Sequence, residues 1–343
     1  MHPLNMIVVG VGALGRHHAR ILSQMEGVNL VAVAEPNPTQ GQAVADQCKT
    51  RWVADYREVM DECQAASIVV PTFLHHGVAK DLLSRGIPVM IEKPLTADLE
   101  QGRELVELAA QKNVTLQVGH IERFNPAFEL ATTKVKAPKY LRAERTSPFP
   151  FRSTDISVIH DVMIHDLELV MHLANSPVIG VHAMGFGLMS EKLDSVQARL
   201  TFESGCIADI TASRLHPETK RQMQVIGSHG AINIDFATRS LEHYEPTAKL
   251  LFGPKPVELA RRPGADLQQL KDSIFGDFIS VEKHAMPQVD ALTAELNEFI
   301  SSIRQKTSPR VTGETALACL VVADEILQQA EASRGNVIKT RAA

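Results

Sequence analysis

Three glycines, Gly10, Gly12 and Gly15, follow directly on the apolar residues 6–9, and good helix formers occupy residues 17–25. This order predicts a strand, a tight turn and a helix. Gly10 permits the turn, Gly12 lets another group approach the backbone closely, and Gly15 lets the helix pack against the strand. Because a continuous apolar strand is buried on both faces, we expect a parallel sheet with helices on each side.

The same alternation continues along the chain to about residue 119. Short apolar runs at residues 30–34, 67–70, 88–91 and 115–118 alternate with helical segments, as in a parallel sheet joined by crossover helices.

After residue 119, strands with alternating polarity predominate between residues 140 and 235, with one helix at 158–174 and two more near the C-terminus. The predicted fold class is α/β: an N-terminal Rossmann domain over residues 1–122, and a C-terminal α+β domain with a large, mostly antiparallel open sheet over residues 123–343. We expect the second domain to bind substrate and to form oligomer contacts.

Composition and charge limit the kinds of molecule that we expect the protein to bind. The 343 residues carry a net charge of −5, which gives no overall attraction to nucleic acid or to an anionic membrane. No apolar stretch reaches the roughly 18 residues of a membrane span, and the N-terminus lacks the basic region of a signal peptide. The four cysteines are widely scattered, so we expect reduced thiols, no metal site and a cytoplasmic protein.

The glycine turn predicts a dinucleotide site. Free N–H groups at the start of the helix bind phosphates, which makes the turn residues Gly10, Gly12, Ala13, Leu14 and Gly15 candidates. Glu35 lies 20 residues after Gly15, where a carboxylate accepts hydrogen bonds from ribose hydroxyls and repels a 2′-phosphate, so NAD is favoured over NADP. A purely structural glycine turn, and a solvated Glu35, are the alternatives.

A lysine is the first candidate for proton transfer. Glu92, Lys93 and Pro94 follow the apolar run 88–91, and ligands of open α/β sheets bind at the carboxyl ends of the strands. A partly desolvated lysine there can have a lowered pKa suited to moving a proton. An ordinary surface lysine is the alternative and is, for an isolated lysine, the more frequent case.

This Glu-Lys-Pro signature, downstream of an N-terminal glycine turn, resembles the glucose-fructose oxidoreductase / inositol dehydrogenase / rhizopine catabolism family. The resemblance covers essentially the whole chain, including residues 221–235 and 290–299. Residues 71–75 are similar to the family's loop beside the nicotinamide ribose, which implies that Pro71, Thr72, His75, Glu92 and Lys93 contact the cofactor.

The family also carries an Asp and a His four residues apart, and Asp161 and His165 fit that pattern. Residues i and i+4 share one face of a helix. The resemblance implies that His165 is the base for the substrate hydroxyl, that Asp161 orients it or hydrogen-bonds the sugar, and that Lys93 assists. Without the resemblance, an ordinary, partly buried histidine is an equally good interpretation of His165. The chain departs from many members in having Met163 where they have glycine, which affects the pocket shape. His160 and Asp166 flank the pair and leave its assignment ambiguous.

Residues 119–126 and 161–167 resemble the subset of the family that oxidises the 3-hydroxyl of UDP-N-acetylglucosamine or related UDP-sugars. This implies a 3-keto product passed to an aminotransferase for lipid A or other surface glycans, and a homodimer or homotetramer. The candidate substrate-binding residues are His120, Arg123, Asn125, Arg152 and His165; the arginines suit a diphosphate because guanidinium groups bind phosphate oxygens in a planar fork.

Two alternatives stay open. A dehydrogenase of a free sugar or inositol would have the same cofactor site. A non-catalytic NAD-binding sensor would not need Lys93, Asp161 and His165, so their presence argues against it.

Overall fold

The computed structural model describes residues 2–151, 156–287 and 289–338. The chain forms two compact units. The first comprises Met1–Phe124 and Asp290–Val322, and the second comprises Asn125–Val289 and Ala323–Ala343.

The first unit contains the predicted parallel sheet. Its six strands are β1 Leu4–Val9, β2 Val28–Ala34, β3 Arg51–Val53, β4 Ala65–Ile68, β5 Val89–Glu92 and β6 Leu116–Gly119. They lie in the order β3-β2-β1-β4-β5-β6, and every neighbouring pair is parallel. The order reverses direction between β1 and β4, and such a reversal opens a crevice for ligands at the carboxyl ends of the strands.

Both faces of this sheet are buried, as the continuous apolar strands predict. Ile7 and Val9 pack into one hydrophobic cluster, and Met6 and Val8 into the other. The helices of the crossovers are α1 Gly15–Gln24, α2 Pro38–Cys48, α3 Thr72–Ser84 and α4 Leu99–Lys112.

The second unit contains an eight-stranded sheet in the order β14-β13-β12-β11-β7-β10-β9-β8. Its strands are β7 Pro138–Thr146, β8 Val178–Phe186, β9 Ser195–Phe202, β10 Ile207–Ser213, β11 Lys220–Gly227, β12 Gly230–Asp235, β13 Ser240–Pro246 and β14 Ile279–Ala285. All neighbours are antiparallel except β7 and β10. The predicted fold class is therefore confirmed for both parts of the chain.

One face of this second sheet is covered and the other is open. Along β7, Leu141 and Ala143 are buried, whereas Arg142 between them is exposed. The helices of the unit are α5 Pro126–Lys134, α6 Ile164–Ala174 and the short α7 Ala248–Phe252, α8 Pro256–Ala260 and α9 Leu267–Ser273. Helix α6, whose residues are mostly buried, packs against β7.

The two predicted C-terminal helices are α10 Ala291–Gln305 and α11 Gly313–Ile338, but part of this segment lies in the first unit. We expected one C-terminal domain over residues 123–343, but residues 290–322 belong to the first unit. Leu296, Phe299 and Ile300 of α10 complete the apolar cluster under α1. The chain thus returns to its first sheet, because α10 buries apolar surface there. A contact between segments so far apart in the chain leaves no local sequence pattern from which it could be predicted.

Strands β3, β13 and β14, helix α5 and the short helices α7 to α9 were not predicted. Strand β14 shows why: its residues are half-buried or exposed on both sides, so no alternation of polarity marks it, and it forms by pairing with β13. Within the described residues, no helix is both long and apolar enough to span a membrane.

Candidate active site

The glycine turn lies at the carboxyl end of β1. Gly10 has a φ of +85°, and a Cβ atom there would lie 2.6 Å from the carbonyl oxygen of Val69. A Cβ on Gly15 would lie 1.9 Å from the carbonyl oxygen of Gly10. At Gly12 the nearest atom, on Gln40, would be 3.9 Å away. Two of the glycines are therefore required by packing, and the third leaves open space above the turn.

Helix α1 begins at this turn, and neither a capping side chain nor an acidic residue occupies its N-terminus. Its N-cap residue, Leu14, makes no side-chain cap hydrogen bond, and the first turn holds no acidic residue. Backbone N–H groups and the helix dipole at such an end favour an anion. The open space over Gly12 and this helix end fit the pyrophosphate of a dinucleotide.

Glu35 follows β2 and reaches back to the turn. Its Oε2 accepts the N–H of Val11 at 3.1 Å, and its Oε1 accepts the N–H of Asn37 at 3.2 Å. The indole N–H of Trp52 donates to the Glu35 carbonyl oxygen at 2.9 Å. The carboxylate is thus fixed beside the turn and half-buried, where a ribose hydroxyl can donate to its remaining lone pairs.

The different surroundings of the glycines give a paired prediction. We expect Gly15→Ala to lower the free energy of unfolding by about 1–3 kcal/mol, because the added methyl group collides with backbone. Gly12→Ala should leave stability unchanged but weaken NADH binding about tenfold, since the methyl group fills the space over the turn. Urea unfolding and NADH fluorescence titration measure the two effects. Equal effects of the two substitutions on both quantities would contradict this division.

His75 joins two loops at the same edge of the sheet. Its ring is buried, with Nδ1 at 2.9 Å from the carbonyl oxygen of Pro94 and Nε2 at 2.9 Å from that of Val70. Burial lowers the pKa of His75, and the two carbonyl contacts partly oppose that shift. The ring therefore holds the Pro94 loop against the loop before α3, and cofactor contacts of Pro71, Thr72 and His75 stay predictions.

Lys93 follows the last residue of β5, and Glu92 beside it is tied into the protein. Glu92 Oε1 lies 3.2 Å from Nε2 of His18, and Oε2 accepts the backbone N–H of Lys93 at 3.2 Å. Burial opposes the ionisation of Glu92, but the hydrogen bond and charge of His18 and the charge of Lys93 hold its pKa below the ordinary value. Glu92 is therefore a carboxylate that fixes the local backbone, and its predicted cofactor contact is untested.

His120, after β6, is a buried polar group with an unused nitrogen. It is 2% exposed, and within the described residues its Nδ1 has no hydrogen-bond partner. Burial and the nearby charges of Lys93 and Arg123 lower its pKa to about 3, with Glu92 opposing them. A neutral imidazole with an unpaired nitrogen is costly to bury, which makes this nitrogen a candidate to bind a ligand. Arg123, in the 3₁₀ turn Ile121–Phe124, is itself buried.

In the second unit, Asp161 and His165 lie at an irregular helix start. Residues Ile159–Met163 form a π-helical turn, closed by the N–H of Ile164 on the carbonyl of Ile159, and α6 follows directly. Both candidate side chains are half-buried. Single π-helical turns are frequent at functional sites, whereas the sequence predicted one regular helix over residues 158–174. Met163 is fully buried.

The structure gives Asp166, which flanks this pair, a partner on another element. Asp166 is 1% exposed and accepts two hydrogen bonds from Arg145, at 3.0 and 2.8 Å. Its carboxylate therefore anchors α6 to β7. Burial lowers the pKa of His160, and Asp324 opposes this shift.

Two of the remaining candidates are less informative. Asn125 caps α5, since its Oδ1 accepts the N–H of Ala127 at 3.1 Å, and its Nδ2 donates to the carbonyl of Phe236 at 3.4 Å. These contacts give Asn125 a structural role, and its predicted sugar contact is untested. Arg152 lies outside the described residues.

Sequence reasoning missed His18 and Ser67, which lie behind Glu92. The sequence pattern predicted only that His17 and His18 belong to the helix over residues 17–25. The amphipathic spacing of α1 contained a usable signal, because Ala19 and Leu22 are buried on the same side as His18, so a histidine there needed a buried partner.

Comparison with known proteins shows the family to which the chain belongs. Residues 4–120 match the family model "Oxidoreductase family, NAD-binding Rossmann fold", and residues 137–233 match the "GFO/IDH/MocA C-terminal domain". The chain is 32% identical to UDP-N-acetylglucosamine 3-dehydrogenase of Acidithiobacillus ferrooxidans, over 86% of this chain and 87% of that protein. A solved structure of that enzyme covers 97% of this chain and 99% of its own, with 30% identity and a TM-score of 0.85.

Inositol dehydrogenases are also similar. The scyllo-inositol 2-dehydrogenase (NAD(+)) of Bacillus subtilis is 29% identical over 68% of this chain and 74% of that protein. A levoglucosan dehydrogenase solved in complex with NADH and levoglucosan shares the fold, with a TM-score of 0.81 at 17% identity, over 97% of this chain and 98% of that one.

Proposed function

Since the chain belongs to the GFO/IDH/MocA family of NAD-binding oxidoreductases, we propose that it oxidises the 3-hydroxyl of a UDP-sugar, UDP-N-acetylglucosamine, to the 3-keto sugar. The observation that carries the substrate is the 32% identity to a UDP-N-acetylglucosamine 3-dehydrogenase along 86% of the chain. The cofactor is NAD, for which Glu35 and the turn residues have the geometry described above.

The proposed chemistry divides the work among a few side chains. Bound NAD supplies the acceptor for the hydride that leaves C3. His165 accepts the proton of the 3-hydroxyl, and Asp161 orients His165 or the sugar. Lys93 donates a hydrogen bond to the same oxygen and stabilises negative charge that develops on it. The alcohol thereby loses one hydride and one proton and becomes a ketone.

Substrate binding is proposed to use cationic and neutral donors. Arg123 and Arg152 are the candidates for the diphosphate, and His120 offers its unpaired Nδ1 to a polar ligand group. The unit formed largely by residues 125–289 is proposed to bind substrate and to form a homodimer or homotetramer. We further propose a cytoplasmic location and an aminotransferase that consumes the keto sugar for lipid A or another surface glycan.

The test is a turnover assay with a trap for the product. The purified protein is mixed with NAD and UDP-N-acetylglucosamine, and an aminotransferase or a 3-ketosugar reagent removes the ketone. We expect NADH to form in proportion to trapped product. Any NADH already bound to the purified protein is first measured spectroscopically. If neither NADH nor trapped product forms, the proposed substrate is wrong.

The second candidate is an inositol or free-sugar dehydrogenase, which the matches to inositol 2-dehydrogenases favour. The same assay with myo-inositol and with N-acetylglucosamine separates the two. We expect no turnover of either compound, because neither carries the diphosphate. Faster turnover of inositol than of the UDP-sugar would establish the second candidate instead.

A further inference from the structure

A line of buried hydrogen bonds crosses the first unit behind Lys93. Ser67 Oγ on β4 lies 2.9 Å from Nδ1 of His18 on α1, and Nε2 of His18 lies 3.2 Å from Oε1 of Glu92 on β5. Ser67 and His18 are 0% and 1% exposed, and the side chain of Glu92 is 15% exposed. A carboxylate oxygen can only accept, so His18 donates to Glu92 through Nε2.

These polar groups cost stability where they lie. Burying a carboxylate and an imidazole among apolar strands is unfavourable unless each is paired, and apolar side chains of similar volume are often at least as stable. The fold also makes room for them: a Cβ on Gly119 would lie 3.1 Å from Cδ of Glu92. Core packing alone therefore does not account for the line of hydrogen bonds.

The line of hydrogen bonds affects Lys93 in two ways. The second carboxylate oxygen of Glu92 accepts the backbone N–H of Lys93, so the orientation of the carboxylate sets the backbone from which the lysine side chain leaves. The charges of the two residues also interact, since Lys93 lowers the pKa of Glu92. By reciprocity, ionised Glu92 favours the ammonium form of Lys93.

We propose that His18 is a positioning residue for Lys93: through Glu92 it fixes both the backbone and the electrostatic environment of that lysine. The inference rests on the proposed function in that Lys93 is assigned there to the reaction. His18 contacts neither substrate nor cofactor in this role. It acts only through the carboxylate that it orients.

Other charged or titratable groups interact with Glu92 and Lys93, and the experiment leaves these groups unchanged. Glu92 interacts electrostatically with His75 on α3 and with His120 after β6. His120 also interacts electrostatically with Lys93 and Arg123. None of them is altered in the variants below, so a change at Lys93 reports on His18 and Glu92.

A structural role is the competing explanation, in which His18 only ties α1 to β4 through Ser67. The two explanations predict opposite results for two substitutions. His18→Asn places its amide near the position of Nδ1, so it keeps the Ser67 contact and loses Glu92. His18→Gln places its amide near Nε2, so it keeps Glu92 and loses Ser67.

The experiment measures Lys93 directly in the protein without cofactor or substrate. Competitive acetylation with acetic anhydride over a range of pH, read by mass spectrometry of the Lys93 peptide, gives the pH midpoint of its reactivity. Glu92→Gln removes the neighbouring charge and should lower that midpoint by about one unit. His18→Asn should lower it by at least about half as much. His18→Gln and the exposed control His17→Asn should match the wild type.

Two results would overturn the inference. One is a wild-type midpoint in folded His18→Asn together with a lowered midpoint in His18→Gln, which is the structural pattern. The other is an unchanged midpoint in Glu92→Gln, a nearly isosteric change that decides the question even if His18→Asn does not fold. No sugar is used, so this experiment is independent of the proposed substrate. Failure to oxidise UDP-N-acetylglucosamine would show that the proposed substrate is wrong without altering the result for Lys93. Failure of the inference about His18 would likewise leave the proposed substrate unaffected.

Discussion

Lys93→Met is expected to lower turnover about 100- to 1,000-fold, the usual contribution of a single donor that stabilises negative charge on the reacting oxygen. Methionine keeps most of the length of the side chain and removes the ammonium group. The Glu92 carboxylate and its bonds to His18 and to the backbone N–H at position 93 do not require the lysine side chain. NADH should therefore still bind with an affinity within about tenfold of the wild type, equivalent to about 1.4 kcal/mol.

The matched control is Lys80→Met on α3. Lys80 forms a surface ion pair with Glu104, in which both side chains are nearly half exposed, so its loss should leave turnover unchanged. Steady-state kinetics with the trapped assay and NADH fluorescence titration give the two quantities for each variant. If Lys93→Met turned over at the wild-type rate with every accepted substrate, Lys93 would have no part in the reaction.

Asp194→Asn is expected to give the largest loss of stability, about 3–5 kcal/mol, because it removes the negative charge of a buried ion pair. The side chains of Asp194 and Arg214 are both 0% exposed, and Arg214 Nε donates to Asp194 Oδ1 at 2.8 Å. Oδ2 accepts the backbone N–H groups of Leu188, Met189 and Ser190 at 2.7 to 3.1 Å. One carboxylate thus closes the loop between β8 and β9.

The control is Asp277→Asn, which breaks the exposed pair with Lys249. Exposed pairs contribute at most about 1 kcal/mol, so this variant should unfold at nearly the wild-type urea concentration. A loss for Asp194→Asn no larger than for this control would mean that the buried pair contributes little to the second unit.

The same carboxylate gives a pH dependence with a definite sign. Burial opposes ionisation of Asp194, but the backbone N–H groups and Arg214 outweigh it and lower its pKa from 3.8 to about 2. Because the folded-state pKa is lowered, the stabilisation is complete above about pH 4 and is lost as the pH falls towards about 2. It corresponds to about 2 kcal/mol. The stability difference between wild type and Asp194→Asn should shrink over that range in urea unfolding at a series of pH values.

The sequence predicted those parts of the protein that local patterns encode. Residues 6–9 are apolar without interruption because Met6 and Val8 pack on one face of the sheet and Ile7 and Val9 on the other. Gly10 and Gly15 stand where backbone atoms leave no room for a Cβ. Alternating polarity predicted the strands β7 to β12 of the mostly antiparallel sheet, and the fold class followed from these two patterns together.

Tertiary structure alone decided which polar side chains meet. His18, Ser67 and Glu92 are separated by up to 74 positions in the sequence and become neighbours only because α1, β4 and β5 pack together. In the sequence, Asp166 is a second candidate acid beside His165. In the structure it accepts a hydrogen bond from Arg145 of β7. Helix α10 joins the first unit for the same reason, since its apolar face completes a distant core.

For the glycine turn, then, the sequence by itself determined that β1, the turn and α1 form a phosphate-binding unit, because backbone conformation and helix polarity are local properties. It also placed Glu35 at the end of β2. Only the folded structure decided that Glu35 is held by Val11 and that Glu92 is held by His18, because burial and hydrogen bonding depend on segments far apart in the chain. Those contacts fix the carboxylates beside the turn and behind Lys93.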